Sequence, residues 1–253
     1  MNRREKTNET VQELFHKPAS GNEGTDPEFM QILQGFIFGE VFVTGSLNGR
    51  MRELVTITVL TAIQALPQLK SHLTACLNVG CTPTELREVI YQCAPFLGFP
   101  RTLNAIDVMN KVFQSIGIQL PLPRQGTLDS DEERYERGLA VQEALCDSAG
   151  EERYTWLPGP FAQAVPCFLT ELCYGDFHTR KGLEAKTREL LLVVLLAALG
   201  GAEVQLKSHI SGALKLGCTA EEIVCALVHA GCYMGFPSLF QALDAGKELL
   251  EER

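Results

Sequence analysis

Two acid–base pairs stand out in the sequence. Glu53 and His72 lie 19 residues apart, and Glu189 and His209 lie 20 apart. Each pair falls on two consecutive helices joined by a short turn, so a carboxylate near the middle of one helix can face an imidazole on the next. A carboxylate hydrogen-bonded to one ring nitrogen leaves the other free to exchange a proton with a substrate. The same residues admit a structural reading, in which each Glu pairs with the adjacent Arg52 or Arg188 and each His is a core residue with its hydrogen bonds met.

Other chemistry-bearing residues cluster around these pairs in sequence. Glu203 stands six residues before His209, where the first pair has Leu66, so the second candidate site is the more acidic. His178 and Asp176 occupy a Gly-Asp-Phe-His segment whose earlier counterparts are Phe42 and Glu40. The Glu40/Asp176 acid can face a cavity or sit in a solvated turn. Lys70 and Lys207 point to another helix face and read as solvent charges, and His16 and His229 lack repeat partners and read as structural or surface residues. Ser71 and Ser208 adjoin the histidines, but neighbours in a helix face apart, which counts against a nucleophilic pair. No phosphate-cradling glycine loop, HExxH or Cys/His metal cluster is present, so no metal is expected. The nine cysteines form no CxxC and lie in apolar surroundings, which reads as reduced core thiols.

The elements that position these residues are duplicated. Arg52-Glu53-Leu54 recurs as Arg188-Glu189-Leu190, and Leu69-Lys70-Ser71-His72 as Leu206-Lys207-Ser208-His209. The later offset also carries Gly80-Cys81-Thr82 onto Gly217-Cys218-Thr219, and Gly98-Phe99-Pro100 onto Gly235-Phe236-Pro237. The offset grows from 136 to 137 through one residue inserted between Leu199 and Glu203. In the second unit Glu184–Leu199 reads as a helix broken by Gly200-Gly201, a second helix runs over Glu203–Leu216, and Thr219 with Glu222 forms a capping box opening a third. Gly-Phe-Pro starts the last. No stretch alternates with period two, so the fold is expected to be all-α, with a first unit at 1–116, a linker at 117–128 and a second unit at 129–253. A helix over Arg134–Cys146 opens the second unit, and the first has a shorter counterpart near Thr10–Phe15.

Composition narrows the partners. The 253 residues carry 22 Lys and Arg against 31 Asp and Glu, a net charge of −9, which leaves no basic face for a phosphate backbone and argues against nucleic acid. The most apolar runs, Leu54–Leu66 and Leu190–Ala202, are 13 residues each, short of the roughly 20 that a membrane span needs. Both read as buried core helices. The polar N-terminus lacks a signal-peptide stretch, so a cytoplasmic protein without membrane contact is expected.

On these residues the chain resembles the carboxymuconolactone decarboxylase family, within the alkylhydroperoxidase-D-like superfamily of helical proteins. The pattern is a GE or GD before a loop, then REL, an apolar helix, LKxH, a Gly-Cys-Thr-x-x-Glu helix start and GFP. The second unit looks closer to the decarboxylase, since it also carries Tyr135–Val141 and Glu203-x-Gln205-Leu206-Lys207-x-His209. The redox cysteines of the peroxidase branch would fall at Ala65 and Gln68, and again at Ala202 and Gln205, which argues against a disulfide-cycling peroxidase. The resemblance implies cofactor-free decarboxylation of a small carboxylated lactone or enol. In that reading His209 is the general acid, Glu189 orients it, Glu203 tunes it, and Arg188 holds a substrate carboxylate. His72 and Glu53 form a second or degenerate site. The alternative is a binding or scaffold protein that kept the fold and lost turnover. Two tandem repeats would pack as a pseudo-dimer, and a homo-oligomer, a trimer of such chains, would mimic a hexamer.

Overall fold

The computed structural model describes residues 1–21, 23–146 and 154–251. The described residues fold as helices and turns without strands. The first unit holds α1 (Arg3–Phe15), α2 (Pro27–Gly39), a 3-10 turn (Val41–Val43), α3 (Gly49–Ala62), α4 (Leu66–Asn78), α5 (Pro83–Tyr91), α6 (Ala94–Leu97) and α7 (Phe99–Ser115). The second holds α8 (Glu133–Leu145), α9 (Phe161–Phe168), a π-helical segment (Leu169–His178), α10 (Ala185–Leu199), α11 (Glu203–Lys215), α12 (Ala220–Met234) and α13 (Phe236–Glu251).

Local chemistry explains most boundaries. Thr219 Oγ1 accepts from the Glu222 amide at 3.0 Å while the Glu222 carboxylate accepts from the Thr219 amide at 2.8 Å, closing the capping box that opens α12. Thr82 and Glu85 do the same for α5. Where α12 is continuous, its counterpart is split into α5 and α6. Pro95 stands at the position of Cys232, and its ring removes an amide and crowds the preceding turn. The helix at the start of the first unit is longer than the sequence suggested: α1 begins at Arg3, capped by the Asn2 side chain, and equals α8 at 13 residues.

The two apolar runs form the centre. On α3, residues 52–62 are all buried, and on α10 residues 188–197 are all buried. These helices pack against each other, α12 packs on both, and one hydrophobic core runs through the two units, joining Leu54, Ile57 and Leu60 to Leu190, Val194 and Leu196. The repeats are therefore packed as a pseudo-dimer. Segment 117–128 does not hang free: Arg87 donates to the carbonyls of Leu122 and Pro123 at 3.1 and 2.8 Å, and Thr127 donates to that of Thr179 at 3.0 Å. No helix among the described residues is long and apolar enough to cross a membrane.

Candidate active site

Each Glu–His pair sits on a helical hairpin. In the first unit α3 and α4 are joined by residues 63–65, with Gln64 in the left-handed region at φ 58°. In the second, α10 and α11 are joined by Gly200, Gly201 and Ala202, the glycines at φ 71° and 67°. The reversal brings His72 Nδ1 to 2.8 Å from Glu53 Oε2 and His209 Nδ1 to 2.7 Å from Glu189 Oε2. A carboxylate only accepts, so Nδ1 carries the proton in both pairs and Nε2 faces away from the carboxylate. The carboxylates are sealed, Glu53 at 0% and Glu189 at 1% exposed, while the histidine side chains retain 10% and 12%. The imidazole is thus the more accessible end of each pair.

The surroundings differ between the units. His178, on the π-helical segment, places Nδ1 3.7 Å from Glu189 Oε1, so one carboxylate stands between two histidines. Burial pushes the His178 imidazole down to about 4, against a partial counter-pull from Glu189, which keeps it neutral at pH 7. Burial disfavours the Glu189 anion, yet His209, together with His178 and Arg188, outweighs it and holds the carboxyl below its usual range. Tyr174 packs on His178 with ring centroids 5.0 Å apart, and its hydroxyl meets Cys146 Sγ at 3.1 Å. Phe96, from the first unit, stands edge-on to His209 at 5.5 Å. In the first unit the corresponding contacts on His72 come from Phe15 at 5.5 Å and from Tyr233 of the second unit at 5.6 Å. Each pair is therefore covered by an aromatic ring from the other unit. Phe96 and Tyr233 both stand two residues before Gly-Phe-Pro, a recurrence written in the repeat itself.

Four sequence candidates lie elsewhere. Arg188 is 2% exposed and donates to Gln92 Oε1 at 3.2 Å and the Arg180 carbonyl at 3.4 Å, so it stitches the units together rather than offering a carboxylate clamp. Its counterpart Arg52 is held by the carbonyls of Leu47, Val41 and Thr44. Neither arginine pairs directly with the neighbouring Glu. Glu203 is exposed in the first turn of α11 and borders a shallow depression with Ser238 and Gln241. Six residues is about 240° of helix, which turns it away from His209. Glu40 pairs with Arg3 at 2.7 Å, and Asp176 with Arg134 at 2.5 Å. These equivalent ion pairs tie α1 and α8 to the segments behind them, and Asp176 borders a separate cleft of about 390 Å³ with Tyr91, Arg124 and Arg180. His229, expected as structural or surface, is fully buried, with Nε2 2.9 Å from Thr56 Oγ1. His16 is the exposed C-cap of α1. Among the described residues no three His, Cys, Asp or Glu side chains are grouped so as to hold a metal ion.

The model of the carboxymuconolactone decarboxylase family matches residues 27–111 and again 163–248. The chain is 37% identical over 91 residues to 4-carboxymuconolactone decarboxylase of Acinetobacter baylyi, spanning 36% of this chain and 68% of that protein. It is 31% identical over 118 residues to nitrosuccinic acid decarboxylase npaB of Metarhizium robertsii, spanning 47% of this chain and 82% of the relative. A crystal structure described as a gamma-carboxymuconolactone decarboxylase subunit, from Burkholderia xenovorans, superposes over 98% of both chains with a TM-score of 0.58 at 19% identity, a likeness of fold. With the family pattern matched twice along its length, the chain belongs to the carboxymuconolactone decarboxylase family.

Proposed function

We propose that this protein is a decarboxylase of the carbon–carbon lyase class, acting on a small carboxylated lactone or enol at the second-unit centre without a cofactor. The observation that carries the reading is the 2.7 Å Glu189–His209 pair, whose outer imidazole nitrogen has no hydrogen-bond partner among the described residues, in a chain of this family. Loss of carbon dioxide breaks a carbon–carbon bond and leaves its electron pair on the substrate as an enolate. His209, protonated, delivers a proton from Nε2 to carbon and recovers one from water. Glu189 orients the ring and stabilises the imidazolium, and His178 stands 3.7 Å from the second carboxylate oxygen. Two relatives named as decarboxylases of small carboxylic acids support the substrate class.

His209→Ala should abolish release of carbon dioxide from 4-carboxymuconolactone or from the best substrate in a panel of lactone and β-keto acids. Undiminished turnover by that variant sinks the assignment. We take the two units to divide at 117–128 and the protein to be cytoplasmic, a reading supported by nine free cysteines. Self-association is supported by exposed apolar side chains that recur at the repeat offset, Ile32 with Phe168 and Leu103 with Phe240, each at least 57% exposed.

A further inference from the structure

The turn that ends α4 holds two thiols against each other. Gly80 stands in the left-handed region at φ 87°, which lets the Cys81 amide donate back to the Cys76 carbonyl at 2.9 Å. The Gly80 amide donates to the Leu77 carbonyl at 3.1 Å. Together these bonds make a Schellman cap, in which the side chain of the third-last helical residue meets that of the second residue beyond the cap. Both of those residues are cysteines here, and their sulfurs share a hydrogen bond within the core. Backbones drawn together by that bond lie in the range a disulfide spans, about 4.4–6.8 Å between α-carbons.

The second unit builds the same turn without the pair. Cys218 donates its amide to the Ala213 carbonyl at 2.9 Å and Gly217 to that of Leu214 at 3.0 Å, so a methyl group stands where Cys76 has its thiol. The two outer thiols differ accordingly in acidity. Burial pushes Cys218 up to about 11, against a counter-pull from Lys186. Cys81 is held below the usual thiol value, first by the hydrogen bond from Cys76 and then by the Arg50 guanidinium, which together outweigh burial and Glu53. Burial holds Cys76 well above that value, so it keeps its proton. Cys81 is also the outer sulfur, 4% exposed against 0% for Cys76. Its Sγ lies 3.8 Å from the Arg50 carbonyl, and Arg50 and Glu85 line a depression of about 370 Å³.

We propose that Cys76 and Cys81 are a redox-active pair, which hydrogen peroxide converts to a disulfide closing the turn between α4 and α5. The Cys81 thiolate takes one peroxide oxygen as a sulfenic acid, and the other leaves as water with the proton the thiol has shed. The Cys76 sulfur then attacks the Cys81 sulfur, and its proton leaves with the sulfenic hydroxyl as a second water. Two electrons pass from the thiols to the peroxide, and a dithiol reductant returns them. His72 stands one helical turn before Cys76 on the same face of α4, so the bond closes beside the Glu53–His72 pair. The proposal does not depend on turnover at His209.

Cys76 and Cys81 share one tryptic segment, 71–87, which holds no other cysteine, so the bond is legible by mass. The folded full chain is treated with hydrogen peroxide at neutral pH, then unfolded while its free thiols are blocked with N-ethylmaleimide, digested and weighed. Segment 71–87 should come out two hydrogens lighter and free of maleimide, and dithiothreitol should restore two blockable thiols. Cys218 should remain blockable. Cys76→Ser keeps a hydrogen-bond donor but no second sulfur, so its Cys81 should stop at a sulfenic acid that dimedone captures. Cys81→Ser should leave Cys76 an unoxidised thiol. Both thiols of 71–87 recovered intact from the folded chain, a bond that forms only after unfolding in urea, or a folded Cys76→Ser chain whose Cys81 stays unoxidised overturns the proposal.

Discussion

Lowering the pH from 7 to 5 should cost this protein about 4 kcal/mol of folding stability through two buried histidines, His178 and His229. An unfolded histidine takes up its proton near 6.5, whereas burial holds His178 down to about 4 and His229 to about 3. Between those limits the unfolded chain binds protons that the folded chain refuses. Stability is therefore complete above pH 6.5 and falls as the pH drops towards the folded values. Each imidazole contributes up to about 1.4 kcal/mol per pH unit, or about 2 kcal/mol over this interval. Glu189 acts lower on the scale: its carboxyl is held below 4.5, so the stability it adds is present above that value and is lost beneath it, in the same direction. Against a typical total of about 5–15 kcal/mol, the loss at pH 5 is large. Urea unfolding followed by circular dichroism at half-unit pH steps measures it, and His229→Gln should remove about half of the slope while retaining a donor for Thr56. A flat profile from pH 7 to 5, or an undiminished slope in His229→Gln, refutes the reasoning.

Two further outcomes follow from the packing. Glu88 is fully buried and accepts from Arg180 at 2.7 Å across the unit boundary and from Arg87 at 3.2 Å, so Glu88→Ala should strand two guanidinium groups and lower stability by about 3–5 kcal/mol in thermal or urea melts. A loss under 1 kcal/mol means the arginines find other partners. A β-carbon at position 175 would stand 2.5 Å from the Arg134 carbonyl, so Gly175→Ala must push α8 off the π-helical segment, at a cost of about 1–3 kcal/mol with reduced amide-exchange protection in α8. Wild-type protection in α8 would count against that close approach.

Much of the architecture was legible in the sequence because it rests on local or repeated signals. Capping boxes at Thr82 and Thr219, the glycine break at 200–201 and the Gly-Phe-Pro helix starts mark boundaries through backbone chemistry that needs no distant partner. The apolar runs after Arg52 and Arg188 announced central helices, since a helix apolar on every side must be covered on every side. The spacing of Glu53 from His72 and of Glu189 from His209 placed each pair across a hairpin, and the structure brings them into contact. The side chains of Arg188, Asp176, Glu40 and Glu203 were harder to place, because a charged residue near a site in sequence is free to turn to any partner. Arg188 turned to Gln92 and a carbonyl, Asp176 to Arg134, Glu40 to Arg3 and Glu203 to solvent.

The sequence by itself determined that this chain is a duplicated all-helical unit, that each copy carries a Glu–His pair, and that its nine cysteines form no CxxC. Those properties are periodicity, spacing and identity, all written along one dimension. Only the tertiary structure decided that each centre is finished by the other unit. Phe96 reaches His209, and Tyr233 and His229 reach the Glu53–His72 pair, because the mutual burial of α3, α10 and α12 draws residues more than a hundred positions apart into contact. That burial is non-directional and follows from the shape of the shared core, so no short-range pattern encodes it.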